Sequence, residues 1–214
     1  MPKTIAFVRR PSPSFNRAIS ANPKNQPINV KRACLQHEHY IAALEKTGVE
    51  VVPLPAIHGY PDAPFIEDTT VVFDHVALAC PNKEKSRRGE GSSIHKEIKK
   101  YRTIKTLPHS VTLDGGDVLT TEEKIFVGIS SRTNREAVNA LAKFTKKPVF
   151  PVEVLFGLHL KTSVTYLGNN ILVLDPSSLD THPLREFKWV EISRPNRYAA
   201  NCLAIGDTVL MSKG

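Results

Sequence analysis

The residues best suited to chemistry in this chain are carboxylates placed where a solvated surface has no need of them. Asp62, Glu67 and Asp68 fall in the run Pro61-Asp62-Ala63-Pro64-Phe65-Ile66-Glu67-Asp68, interleaved with apolar residues and leading into a strand-like segment. Clustered carboxylates repel one another and call for a cation. A metal ion is one candidate. A planar guanidinium, which meets a carboxylate through paired hydrogen bonds, is another. A turn or helix-cap cluster has the same composition. The segment Thr112-Leu113-Asp114-Gly115-Gly116-Asp117 adds carboxylates beside two glycines, which permit a tight turn or let a ligand approach closely. Gly157-Leu158-His159-Leu160-Lys161 sets one imidazole, the side chain that titrates near neutrality, between two leucines. A lone histidine also serves purely structural ends. Arg87 in Ser86-Arg87-Arg88-Gly89-Glu90 and Arg132 in Ser131-Arg132-Thr133-Asn134 each stand at an expected helix entrance. There an arginine can help backbone N–H groups hold a carboxylate, or it is plain surface charge. His37-Glu38-His39 resembles a metal pair, but i, i+2 spacing sends two rings to different sides of a helix. No P-loop, GxGxxG fingerprint, HExxH or GxSxG occurs.

The elements that must position these groups recur with a period. A first strand is expected over Thr4 to Arg9. A helix follows from about Val30 to Lys46, with Cys34, His37, Ile41 and Leu44 at helical spacing and Gly48 past its end, and then a strand over Val49 to Leu54. Hairpins are expected to turn at Asp74-His75, Glu122-Glu123, Asn169-Asn170 and Gly206-Asp207. Helices are expected over about Gly91 to Tyr101 and Asn134 to Lys146, with a short strand after each, such as Lys147 to Val152. The third interval is broken by Pro176 and Pro183 and closes with a strand over Lys188 to Ile192. The unit is strand-turn-strand-helix-strand, with turns 48, 47 and 37 residues apart, which predicts an array or propeller whose neighbouring units share a core. The last hairpin leads into no further helix or strand before Gly214, so either a fragment that lacks a helix and at least one strand or an open ring is expected, and with the exposed sheet edges of an open ring, poor stability or self-association. The stretch from Arg10 to Pro27 is Pro/Asn-rich and reads as a loop.

Composition limits the class. The chain has 214 residues, 41% hydrophobic and 23% charged, which excludes disordered, collagenous and coiled-coil chains. No apolar run is long enough to span a bilayer, and the N-terminus lacks the apolar region of a signal peptide. Cys34, Cys80 and Cys202 are scattered without a CxxC pair, which predicts neither disulfides nor a zinc ribbon and points to a reducing, cytoplasmic setting. The formal net charge of +8, with basic residues crowded between Lys83 and Lys105, raises nucleic acid as a partner. No nucleic-acid module is visible, so neither nucleic acid nor membrane is expected as a partner.

Taken in order, PDAPFIED, SRRGE, LDGGDVL with IFVGISSRTN, GLHLKTSVTYL and AANC resemble the dimethylarginine dimethylaminohydrolases of the guanidine-modifying (pentein, amidinotransferase-like) superfamily. The resemblance runs to about residue 204. It implies an α/β fold, a five-unit β/α propeller forming a single domain over 1–214, here without the end of its last unit. It implies that Asp62 and Asp68 bind a substrate guanidinium, with Glu67 beside them. Asp114 would hold both the guanidinium and the imidazole. His159 would be general acid and base, with Leu158 beside it against the substrate. Arg87 and Arg132 would hold the amino-acid carboxylate, and Phe15 would give an apolar contact from a lid. The implied reaction converts N-omega-methylated arginine to citrulline and an alkylamine through a cysteine thiouronium, with no cofactor and no metal. The nucleophilic cysteine is expected beyond Gly214, since Cys202 of AANC does not match the family nucleophile. The implied partner is a small guanidino amino acid, with a homodimer as the assembly allowed for, and this 214-residue form would be inactive. A non-catalytic guanidino-binding protein and an arginine deiminase-type enzyme are the alternatives.

Overall fold

The computed structural model describes residues 4–19 and 27–212; residues 20–26 of the Pro/Asn-rich loop and Gly214 lie outside the described residues. Strand β1 (Ile5–Arg9) runs parallel to β2 (Glu50–Leu54), with Ile5 opposite Glu50 and Arg9 opposite Leu54. Parallel neighbours need a crossover, and α1 (Val30–Lys46) supplies it. Asn29 caps α1 by accepting from Arg32 N at 3.0 Å, and Gly48 follows its end with φ +83°.

Three sheets then repeat one plan. The first holds β3 (Thr70–Val72), β4 (Val76–Ala79) and β5 (Thr103–Thr106). The second holds β6 (Val118–Thr120), β7 (Ile125–Ile129) and β8 (Val149–Glu153). The third holds β9 (Val164–Gly168), β10 (Ile171–Leu174) and β11 (Lys188–Glu191). In each the middle strand is antiparallel to its hairpin partner and parallel to the strand that returns. Helices α2 (Ser92–Ile98) and α3 (Glu136–Ala142) make the first two crossovers. Both are shorter than the sequence suggests. Past α3, the N–H groups of Lys143 and Phe144 bond three residues back, to Ala140 and Leu141, so the last turn tightens and the helix stops. In the third crossover Pro176 and Pro183 open two 3-10 turns, and no α-helix forms. A final hairpin joins β12 (Leu203–Ile205) to β13 (Thr208–Leu210). The Asn169-Asn170 turn carries φ +52° and +61°, the left-handed pair that a two-residue hairpin requires.

Neighbouring sheets share apolar cores. Val71 and Leu78 pack with Leu113, Ile125, Val127 and Leu141 between the first two repeats. Leu119, Phe126 and Val152 pack with Leu160, Leu172 and Leu184 between the second and third. Leu54 packs with Ala77, Ile94 and Ile98, and Val8, Leu44 and Val49 with Ile205 and Leu210 of the last hairpin. No helix of the described residues is long and apolar enough to cross a membrane.

This topology gathers particular residues. A hairpin returns on itself, so the start of its first strand and the end of its second lie at one edge. Asp62–Asp68, Asp114–Asp117 and His159 precede β3, β6 and β9, while Arg87 and Arg132 follow β4 and β7.

Candidate functional site

These hairpin edges meet at a cavity of about 1030 Å³. Asp62, Glu67, Asp68, Arg87, Arg132, Leu158, His159 and Phe15 all line it. Where Asp68 and His159 line it, one oxygen each of Asp68 and Asp114 and one ring nitrogen of His159 lie within 4.8 Å of one another, although Asp114 itself is not a lining residue. His159 Nε2 is 3.8 Å from Asp68 Oδ1 and 3.9 Å from Asp114 Oδ2. All three residues are buried, Asp114 completely.

Two glycines make this packing possible. A Cβ on Gly115 would lie 2.1 Å from the carbonyl oxygen of Glu67, and one on Gly116 would lie 2.6 Å from Asp68 Oδ1 and 3.0 Å from the His159 ring. The protein's own groups approach both glycines closely, and both also line the cavity. Gly116 N donates to Asp68 Oδ1 at 3.0 Å.

Asp68 Oδ2 takes a 2.6 Å bond from Arg87 Nη1. Glu90 Oε2 takes two more from the same guanidinium, from Nε and Nη2 at 3.0 Å each. Nη2 also reaches the carbonyl oxygens of Phe65 and Asp62. Arg87 is therefore a buried counter-ion to acidic groups in this state. Burial alone would lower its pKa, but Asp68 and Glu90 raise it further than burial lowers it. Arg132 differs. It is also buried, yet among the described residues its guanidinium donates no hydrogen bond; its Nη1 has Glu84 Oε1 at 3.7 Å and Asp114 Oδ2 at 4.0 Å. Asp114 Oδ1 accepts from Asn82 Nδ2 at 2.6 Å, while Oδ2 is buried without a hydrogen-bond partner. Burial raises the pKa of Asp114, against the pull of Asn82.

Glu67 and Asp62 do not join the convergent cluster. The Glu67 carboxylate is at the rim, 2.6 Å from Lys161 Nζ and largely exposed. Asp62 Oδ1 accepts from Ile19 N at 3.0 Å, which ties the N-terminal segment to the cavity wall. Burial raises the Asp62 pKa, and that N–H bond with Arg87 and Arg132 opposes the rise. Phe15 packs on Phe65 with ring centroids 6.0 Å apart. His37 lines the cavity, whereas His39 is exposed, so the two rings do not converge.

The imidazole is held by a residue that the sequence reading left in its motif without a role. Asp117, not Asp114, stands at His159 Nδ1, with Oδ2 at 3.3 Å. Burial lowers the His159 pKa, but the Asp117 hydrogen bond and the charges of Asp68, Asp117 and Asp114 outweigh it, so the pKa is raised above the usual histidine value. The sequence signal for Asp117 is the pair of hydroxyls in Ser130-Ser131-Arg132-Thr133, since both Ser130 and Thr133 donate to it. Among the cysteines, Cys202 lines the cavity instead of sitting inside a buried strand, while burial together with Asp114 and Asp68 pushes the Cys80 thiol up.

Asp68, Asp114 and His159 have the spacing to surround one cation. The guanidiniums of Arg87 and Arg132, 3.9 and 4.0 Å from Asp114 Oδ2, oppose a divalent ion at that point. A cation with one delocalised charge and its own donors fits Asp114 Oδ2, which has no partner, and the remaining lone pair of Asp68 Oδ1 better.

The sequence pattern of the family described as N,N dimethylarginine dimethylhydrolase, eukaryotic, matches residues 2–187. The chain belongs to this family. The N(G),N(G)-dimethylarginine dimethylaminohydrolase of Pseudomonas aeruginosa is 27% identical over 215 residues, covering 97% of this chain and 84% of that protein. An uncharacterised protein of Aeropyrum pernix is 35% identical over 222 residues, covering 98% and 81%. The Streptomyces coelicolor dimethylarginine dimethylaminohydrolase is 33% identical over 177 residues, covering 81% and 69%. A Pseudomonas aeruginosa dimethylarginine dimethylaminohydrolase mutant, solved with citrulline, superimposes with a TM-score of 0.91 at 26% identity, over 99% of this chain and 85% of that one. The N-terminal domain of ArgZ, an arginine dihydrolase, gives a TM-score of 0.86 at 17% identity, a likeness of fold. The mixed α/β fold is therefore that of dimethylarginine dimethylaminohydrolases and other penteins.

Proposed function

We propose that the chain hydrolyses an N-omega-methylated arginine, or a related guanidino compound, to citrulline and an alkylamine. The observation that carries this reading is the convergence of Asp68 Oδ1 and Asp114 Oδ2 on His159 Nε2, beside the cavity that Asp68 and His159 line. In this reading the two oxygens accept from a substrate guanidinium and fix its plane, so that attack comes along one face with little entropy lost at the barrier. Arg132, whose guanidinium is free of hydrogen bonds among the described residues, receives the substrate carboxylate. Arg87 assists by neutralising Asp68, and it joins Arg132 on the carboxylate only if its own acidic partners release it. Leu158 and Phe15 supply apolar wall. The relatives named dimethylarginine dimethylaminohydrolase, one of them solved with citrulline, support the same substrate class.

The chemistry balances as follows. A cysteine thiolate adds to the guanidinium carbon. The C–N bond to the substituted nitrogen breaks, and His159 gives that nitrogen a proton so that it leaves as a neutral amine. Water then adds to the thiouronium carbon and gives one proton to His159; the remaining hydroxyl proton passes to the departed amine or solvent as the C–S bond breaks, which releases citrulline and the thiolate. In this reading neither Cys34 nor Cys80 is the attacking cysteine. Cys80 is disfavoured by its raised pKa, and Cys34 donates to Pro11 O. Cys202, on the cavity wall, is the internal alternative.

Titration calorimetry with arginine and with mono- and dimethylarginine tests the binding half of this reading, and no heat from any of them at millimolar concentration refutes it. Citrulline assays on the natural protein test the chemical half. Methylamine released from methylated substrate supports hydrolysis of the methylated compound, and ammonia from unmethylated arginine supports the deiminase-type alternative. Binding without any citrulline supports a guanidino-binding protein, a reading favoured by the absence of Cys34 and Cys80 from the residues that line the cavity.

The same proposal takes the five small sheets among the described residues as the units of one five-unit ring, forming a single domain over 1–214. The packing of Ile205 and Leu210 on Val8, Leu44 and Val49 supports it. A cytoplasmic location and a homodimer belong to the proposal, not to the geometry.

A further inference from the structure

Asp117 is fully buried, lies outside the guanidinium-facing cluster, and collects more hydrogen bonds than a fold-filling carboxylate needs. Oδ2 accepts from Thr133 Oγ1 at 2.6 Å and Ser130 Oγ at 2.8 Å, and faces His159 Nδ1 at 3.3 Å. Oδ1 accepts from Leu160 N at 2.8 Å. The two hydroxyls tie this carboxylate to the rest of the cavity. Thr133 Oγ1 also accepts from Asp114 N at 3.1 Å, and Ser130 Oγ accepts from Arg132 N at 3.0 Å. One buried side chain thus sets the backbone of Asp114 and of Arg132 and the ring of His159. Gly128 leaves it the space, because a Cβ there would stand 2.7 Å from Asp117 Oδ1.

We infer that Asp117 is the positioning residue of His159: it accepts the hydrogen bond of Nδ1–H and so fixes Nε2 as the bare nitrogen that exchanges protons with a ligand held by Asp68 and Asp114. An imidazole that donates from Nδ1 to a carboxylate is fixed in both ring orientation and tautomer. The charged groups that face the ring are Asp117 at Nδ1 and Asp68 and Asp114 at Nε2, with Arg87 and Arg132 beyond Asp114. Without Asp117 the neutral ring can turn its Nε2–H toward Asp68 and Asp114, and a proton then sits where the one from water must be taken up. The proton-exchange part of this role rests on the guanidine-hydrolysing reading; the tautomer does not.

Histidine-selective 15N labelling with long-range proton–nitrogen correlation reads the ring directly, with the His159 signals among the eight histidines identified by their loss in His159→Gln. The expected result, above the midpoint of its titration, is a His159 protonated at Nδ1 and bare at Nε2. In Asp117→Asn the expected results are a mixed tautomer and a titration midpoint lower by about one pH unit. A wild-type ring protonated chiefly at Nε2 overturns the inference, as does a folded Asp117→Asn with the wild-type tautomer and midpoint. The wild-type tautomer is read without a variant, so an Asp117→Asn chain that fails to fold leaves the test decided. Neither ligand nor turnover is required, so failure here is distinct from failure of the proposed reaction, which calorimetry reads.

Discussion

Asp114 has one carboxylate oxygen taken up and one free. Oδ1 accepts from Asn82 Nδ2 at 2.6 Å, and Oδ2 is buried without a hydrogen bond. Asp114→Asn keeps the volume and removes the charge. With its amide oxygen toward Asn82, the new NH2 stands where Oδ2 was, 3.9 Å from Arg87 Nη1 and 4.0 Å from Arg132 Nη1, a donor facing donors. The charged form of Asp114 is already disfavoured by burial, which raises its pKa. Neutralising it therefore costs the fold little, and a melting temperature at or near that of the wild type is expected. Binding should behave differently. A guanidinium that donates to Oδ2 loses a hydrogen bond to a charged acceptor, worth about 1.5–3 kcal/mol, or roughly 10- to 150-fold in Kd. Titration calorimetry with N-omega-methylarginine at mildly alkaline pH, paired with a thermal melt, separates the two effects. Because binding needs the ionised carboxylate, wild-type affinity should also weaken as the pH falls through the raised Asp114 value. A folded Asp114→Asn that binds as tightly as the wild type refutes the reasoning.

The two arginines should separate in the opposite way. Arg87→Ala strips the partner from buried Asp68 and Glu90 and should cost about 3–5 kcal/mol of stability, seen as a large drop in denaturant midpoint. Arg132→Ala removes a guanidinium that donates no hydrogen bond among the described residues and has only long ion pairs to Glu84 and Asp114, and should mainly weaken amino-acid binding, while leaving affinity for a guanidinium that lacks a carboxylate, such as methylguanidine, near the wild-type value. Equal effects of the two on stability would contradict this. Gly116→Ala drives a methyl group against Asp68 Oδ1 and the His159 ring and should abolish binding at about 1–3 kcal/mol of stability; unchanged binding would show that the convergence is looser than drawn. The folded-state pKa of His159 is raised, so its contribution to stability is fully present below the unfolded value of about 6.5 and is lost as the pH rises through the folded value. Denaturant titrations should show the wild type losing stability relative to His159→Gln across that window, and parallel curves would contradict the raised value.

The hairpins were legible because β-branched runs flank turn residues whose backbone needs are strong, Asn169-Asn170 and Gly206-Asp207 above all. Helix α1 was legible from its apolar spacing and from Gly48, and its observed bounds, Val30–Lys46, agree with the sequence reading. The ends of α2 and α3 were not, because short helices end by tightening to three-residue bonds that leave no mark in composition. The types of the cavity residues could be read, but the choice between neighbouring atoms could not. Asp114 and Asp117 look alike on paper, and only the 3-10 turn over Gly115–Asp117 sends one to Nε2 and the other to Nδ1 of the same ring. The pairing of Arg87 with Glu90 was within reach of the sequence through its i, i+3 spacing; its further pairing with Asp68, from a different hairpin edge, was not.

The most direct measurement of the central claim is a crystal structure of the protein with N-omega-methylarginine. The guanidinium should lie between Asp68 Oδ1 and Asp114 Oδ2, with a nitrogen toward His159 Nε2 and the carboxylate on Arg132. A guanidinium bound at the Glu67–Lys161 rim instead, or no ligand in the cavity at saturating concentration, would contradict it.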